Sequence, residues 1–230
     1  MSKDIRKMID KVKGLKEPLN EAWFHGTPEA NKIEQAGGFT ASMMSVDYIT
    51  DLDKYKEYQN NLRTTRESGD MKAYHKLITM PETDFKDHFH YNKPLFLSDK
   101  YSVAKTYTDP NRAFDYQNSL EKVYEVEVSG DKIVKIVATG DRFRFINVDK
   151  VKIGFINSGV SEEDINRVIT QFNYYATNNS GIKTDVVAAI GNYFGFDCID
   201  VIGVLDSYSG GTTKSTVRMV LDPSKARIKK

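Results

Sequence analysis

The sequence predicts an α+β protein. Three observations carry that prediction. Helical and extended patterns come in runs rather than in strict strand–helix alternation. Residues 122–128, Lys-Val-Tyr-Glu-Val-Glu-Val, alternate with the period of a strand. Ser161-Glu162-Glu163-Asp164 puts a capping serine and three acids where a helix begins. The 230 residues suffice for one large domain or two small ones, and 40% hydrophobic with 28% charged residues is a folded composition.

The elements follow in order. Ile5, Met8, Ile9, Val12 and Leu15 share one helical face, so residues 1–20 read as an N-terminal helix. Ala22-Trp23-Phe24 reads as a buried strand leading into a turn at His25-Gly26. Thr27-Pro28-Glu29 starts a helix that runs to about Gln35 and stops at Gly37-Gly38. Residues 46–90 are polar and tyrosine-rich, with helical spacing at Leu52, Tyr55, Tyr58, Leu62 and again at Tyr74, Leu77, Ile78. They read as a helical insertion over the surface, either a lid or an exposed decoration. Pro94 to Leu97 is a short strand, and Ser98 caps a helix of about ten residues carrying Val103, Ala104 and Tyr107.

Past Lys122–Val128 the chain turns at Ser129-Gly130-Asp131 into a second strand, Lys132 to Val137. Residues 142–156 alternate as well, through Phe143, Phe145, Ile146, Val148, Val151 and Ile153. The helix opened at Ser161 reaches Tyr175. Another starts at Thr184 and closes at Gly195. A strand from Phe196 to Ile202, a polar loop from Gly203 to Ser215 and a strand from Thr216 to Leu221 complete the chain before Asp222-Pro223. Residues 21–230 are expected to form a single domain.

Composition removes several function classes. Lys+Arg is 33 against 32 for Asp+Glu, which speaks against nucleic-acid binding by bulk charge. The single cysteine, Cys198, excludes an internal disulfide framework and a cysteine-based zinc site. No run approaches the apolar length of a membrane span, and residues 1–11 lack the apolar core of a secretory signal. A cytoplasmic location without a membrane partner is the expectation. His88-x-His90 offers two metal ligands, short of a closed site, so no metal is expected. No glycine-rich phosphate loop and no Gly-x-Ser-x-Gly elbow occurs. The 13 tyrosines and 12 phenylalanines read mostly as packing groups, with one or two lining a ligand cleft.

Three distant segments form an ordered set: Phe24-His25-Gly26-Thr27, then Leu95-Phe96-Leu97-Ser98-Asp99 with Tyr107 nine residues after Ser98, then Thr216-Val217-Arg218-Met219-Val220-Leu221-Asp222-Pro223. Together they resemble the ADP-ribosyltransferase fold of the poly(ADP-ribose) polymerase and diphtheria-toxin branch. That branch has a His-Gly-[Ser/Thr] at a strand end, a strand with an aromatic position followed by a helix carrying a tyrosine, and a last strand opened by glutamate. Transferase domains of phage proteins look similar, and share Gly195-Phe196-Asp197 and Asp222-Pro223. The resemblance covers about residues 21–45 and 94–228. It implies a split antiparallel sheet core and an NAD-dependent mono-ADP-ribosyltransferase, of the kind that serves as a phage effector or toxin, that modifies a protein or nucleic acid and releases nicotinamide.

It also assigns roles. Phe96 and Tyr107 would clamp the nicotinamide ring, Gly26 would read the carboxamide through its backbone, and His25 would hydrogen-bond the ribose hydroxyls. Thr27 and Ser98 would add polar contacts to the cofactor. Asp206, Tyr208 and Lys214 in the terminal loop would border the acceptor. Val217 stands where the family often has its catalytic glutamate, so chain elongation is not expected. Asp206, Asp197, Asp200, Glu125 and Glu127 remain open as replacement acids. The competing expectations are a binding module for NAD or ADP-ribose without turnover, and a phage interaction protein.

Overall fold

Seven strands hydrogen-bond into one sheet in the order β11-β5-β1-β4-β10-β9-β6. They are β1 (Trp23–Thr27), β4 (Leu95–Ser98), β5 (Lys122–Val128), β6 (Ile133–Val137), β9 (Cys198–Leu205), β10 (Lys214–Val220) and β11 (Ala226–Ile228). The computed structural model describes residues 22–79, 84–109, 120–174, 181–205 and 213–230. The N-terminal helix expected over residues 1–20 lies outside them.

The α+β class holds, with one qualification to the antiparallel expectation. β6 runs parallel to β9, whereas the other neighbouring pairs are antiparallel. Strand β6 therefore crosses to the far edge of the sheet instead of folding back on β5. The crossing is held by Asp197, whose carboxylate accepts from the backbone N–H groups of Asp131 and Lys132 at 3.0 and 3.1 Å. β1 follows β5 over its whole length but is in register with β4 only at Phe24 and Ser98. This seam between two halves of the sheet positions the candidate site.

Helices cover the sheet unequally. Helices α1 (Ala30–Ala36), α2 (Leu52–Glu67), α3 (Met71–Ile78), α4 (Tyr101–Lys105), α5 (Val148–Asn157), α6 (Glu162–Phe172) and α7 (Thr184–Tyr193) follow the chain. Val151 and Phe155 of α5, Val168 and Phe172 of α6, and Val187 and Ile190 of α7 are buried with Ile136, Ile199, Val201 and Met219 of the sheet in the larger core. Each such side chain contributes roughly 1.5–3 kcal/mol by leaving water. On the other face, Trp23, Leu97, Tyr124, Val126 and Val220 pack with Ala30 of α1.

Several expectations change. β1 continues straight through His25-Gly26, so that pair is strand rather than turn. Residues 142–156 form only a two-residue strand, β7 (Phe145–Ile146), which pairs with β8 (Ile182–Lys183). After it, Asn147 accepts from the N–H groups of Asp149 and Lys150 and caps α5. Val148, Val151 and Phe155 then recur at helical spacing and are buried. The 46–90 insertion is only partly helical. It begins and ends in an antiparallel pair, β2 (Met43–Ile49) and β3 (Lys86–Asn92). Tyr48 and Phe89 of that pair meet Phe172 with ring centroids 5.3 Å apart in both cases, while α2 and α3 bury no residue. Past Pro223, where no strand is expected, β11 forms the sheet edge, with Lys225 and Lys229 flanking it. Lys229 pairs with Glu125 at 2.7 Å and Lys225 with Asp197 at 2.5 Å. No helix among the described residues is long and apolar enough to cross a membrane.

Candidate functional site

A cavity of about 360 Å³ opens at the seam between β1 and β4. His25 and Gly26 of β1, Phe96 and Ser98 of β4, Val217 of β10, and Tyr107 all line it. The four chain segments that carry these residues are brought together by the sheet order, since β4 sits between β1 and β10. Tyr107 is delivered by α4 and the 3-10 turn Thr106–Thr108 that follows. That helix is shorter than the sequence suggests, and Lys100 rather than Ser98 occupies its cap position. The Ser98 hydroxyl instead accepts from the Lys100 N–H at 3.1 Å in the turn before it.

His25 is held by its first ring nitrogen. Nδ1 lies 3.0 Å from the carbonyl oxygen of Phe96. A carbonyl only accepts, so Nδ1 carries the proton and Nε2 is left as an acceptor. Burial depresses the imidazole pKa below its ordinary 6.5, against the opposing pull of the Phe96 carbonyl. The ring packs edge-on against Phe39, with centroids 5.3 Å apart. A neutral, oriented imidazole suits a partner that donates a hydroxyl hydrogen.

Gly26 is required by packing. A Cβ there would lie 1.7 Å from the Ala104 carbonyl oxygen, so only glycine lets α4 approach β1. That approach brings Tyr107 to the cavity. Phe96 packs edge-to-face on Phe143, with ring centroids 5.4 Å apart. Val217 is buried and in register with Ser98 on one side and Val201 on the other. Thr27 does not line the cavity, which corrects its expected contact with the cofactor. It is buried, and its hydroxyl accepts from the Glu29 N–H at 3.0 Å where β1 turns toward α1.

Of the expected acceptor loop, Asp206 and Tyr208 lie outside the described residues. Lys214 is the exposed first residue of β10 and does not line the cavity; its carbonyl accepts from Lys100 Nζ. The other replacement acids are placed elsewhere. Asp197 pairs with Lys225, which holds its carboxyl below the usual range. Asp200 forms a two-pronged bond to Arg218, at 2.7 Å on each side. Glu125 and Glu127 line a separate depression with Trp23 and Lys229.

No family model, no curated protein and no solved structure matches this chain. The cleft's chemistry therefore rests on its own residues, including some that the sequence reading missed. Phe143, Arg144, Thr184 and Asp185 line the same cavity. Arg144 precedes β7, in the stretch expected to be a strand, and Asp185 lies in the first turn of α7. Thr184 and Asp185 carried a sequence signal only as a helix start. Both charged side chains are exposed, and neither is in an ion pair among the described residues. The cleft thus combines flat apolar rings, one oriented acceptor, one cation and one anion.

Proposed function

We propose that the chain is an NAD-dependent mono-ADP-ribosyltransferase that acts in the cytoplasm on a macromolecular acceptor, protein or nucleic acid. The observation that supports this reading best is the convergence of His25, Phe96, Tyr107 and Val217 on one cavity from distant segments. NAD enters as substrate. Its nicotinamide is a flat cation suited to the Phe96 and Tyr107 rings. The His25 Nε2 accepts from a hydroxyl of the adenosine ribose. Arg144 supplies the positive charge that the pyrophosphate needs. Holding the dinucleotide extended across the seam aims its ribose–nicotinamide bond at the acceptor.

Val217 favours a second reading, a module that binds NAD or ADP-ribose without turning it over, because valine stabilises no positive charge. Titration calorimetry with NAD tests the shared part. Wild type binds, and His25→Ala lowers affinity at least tenfold, about 1.4 kcal/mol, while the melting profile stays cooperative. Unchanged affinity in the variant removes the NAD site. Labelled NAD incubated with lysate then separates the two readings: label appears on protein or RNA for a transferase and on neither for a binding module.

A further inference from the structure

Breaking the bond between nicotinamide and ribose leaves positive charge at C1′, and nothing on Val217 stabilises it. Of the acids considered from sequence, Asp197, Asp200, Glu125 and Glu127 lie outside the cavity, and Asp206 lies outside the described residues. Asp185 is the one carboxylate that lines it among the described residues. We infer that Asp185 is the catalytic carboxylate of this cleft, stabilising the charge at C1′ and taking the proton of the incoming acceptor. This rests on the transferase reading above.

Three observations carry it. Asp185 is exposed to the cavity and its carboxylate is in no ion pair or hydrogen bond among the described residues, so the fold does not consume its charge. It is placed by a rigid element, since α7 is buried through Val186, Val187, Ala188, Ala189 and Ile190. Behind it, the buried hydroxyl of Tyr91 has no hydrogen-bond partner among the described residues. Burial and then the Asp185 charge push that phenol up to about 12, so Tyr91 stays protonated.

The step balances without a further reagent. The C1′–N bond breaks and its electron pair stays on the pyridine nitrogen, so neutral nicotinamide leaves. The acceptor oxygen or nitrogen bonds to C1′, and its proton passes to Asp185 and then to water.

The test measures NAD affinity by calorimetry and nicotinamide release by chromatography on the full chain. Asp185→Asn is expected to lower kcat by about 100-fold while the KM for NAD stays within about threefold. Asp185→Glu keeps the charge at the helix start and is expected to retain about a tenth of wild-type kcat or more. Wild-type turnover in Asp185→Asn overturns the assignment and leaves the transferase reading standing. A loss of NAD affinity matching the loss of kcat makes Asp185 a binding residue and also overturns it. So does a lowered melting temperature with turnover per folded molecule intact, which assigns the carboxylate to the helix start alone. Failure of wild type to bind NAD or release nicotinamide removes both the assignment and the transferase reading.

Discussion

An arginine and an aspartate within the sheet, and another of each at the cleft, are treated in opposite ways. Arg218 and Asp200 face each other in register across β10 and β9, with side chains 13% and 6% exposed. Their bond is two-pronged, and the guanidinium also lies 4.2 Å from the Trp23 ring centre. Arg144 and Asp185 share the rim of the cleft, and neither forms an ion pair among the described residues. The difference follows from solvation. A charge taken out of water must find its counter-charge, whereas a charge beside an open cleft is stabilised by water until a ligand replaces it. Closed pairs hold the fold, and open ones are available to chemistry.

The largest test of this contrast is stability. Asp200→Ala leaves the Arg218 charge buried and should cost about 3–5 kcal/mol. Asp185→Ala should cost at most about 1 kcal/mol, its helix-start contribution. Urea unfolding midpoints check both, and equal losses would dissolve the distinction.

A second variant sharpens the geometry of the open side. Gly26→Ala forces a methyl group against the Ala104 carbonyl and should cost about 1–3 kcal/mol. It should also weaken NAD binding, since α4 and Tyr107 must move. Calorimetry that shows full affinity in a destabilised Gly26→Ala protein would detach Tyr107 from the site.

Smaller effects follow from the cleft charges themselves. Arg144→Ala should lower NAD affinity roughly five- to tenfold and flatten its salt dependence, with the melting temperature unchanged. The least effect concerns His25. Its folded pKa lies below the unfolded value, so the unfolded state binds the proton first as pH falls. The contribution of a neutral His25 is complete above about pH 6.5 and is lost as pH drops through the folded value. Replacing His25 with Gln should make the melting temperature less sensitive between about pH 7 and pH 5, by the loss of one titrating group.

Local signals in the sequence served well where neighbours in the chain decide the outcome. The Ser161 hydroxyl accepts from the Asp164 N–H at 3.0 Å, and Gly195 adopts a φ of +70° past the end of α7. The strand over Lys122–Val128 matches its alternation residue for residue. Long-range pairing was not legible. No strand is expected past Asp222-Pro223, yet Ala226-Arg227-Ile228 joins the ladder that Val126 and Val128 provide. The crossing of β6 to β9 depends on Asp197, 65 residues from Lys132. The site divides in the same way. His25, Phe96 and Tyr107 stand out by residue type and order. Arg144 and Asp185 become cleft residues only when tertiary packing turns β7 and α7 toward the seam.

The strand that completes the sheet is made late. β10 lies between β4 and β9, yet its residues 214–220 follow every other sheet strand except β11. On the ribosome, the flanking strands emerge first with a bare edge each, and no earlier segment substitutes for the missing one. A nascent chain halted before residue 214 therefore has β1 and β4 in place but leaves β9 and β6 unjoined to them and the cleft without its wall at Val217. Synthesis must pass β10 before β4 and β9 share one sheet and Val217 closes the cleft.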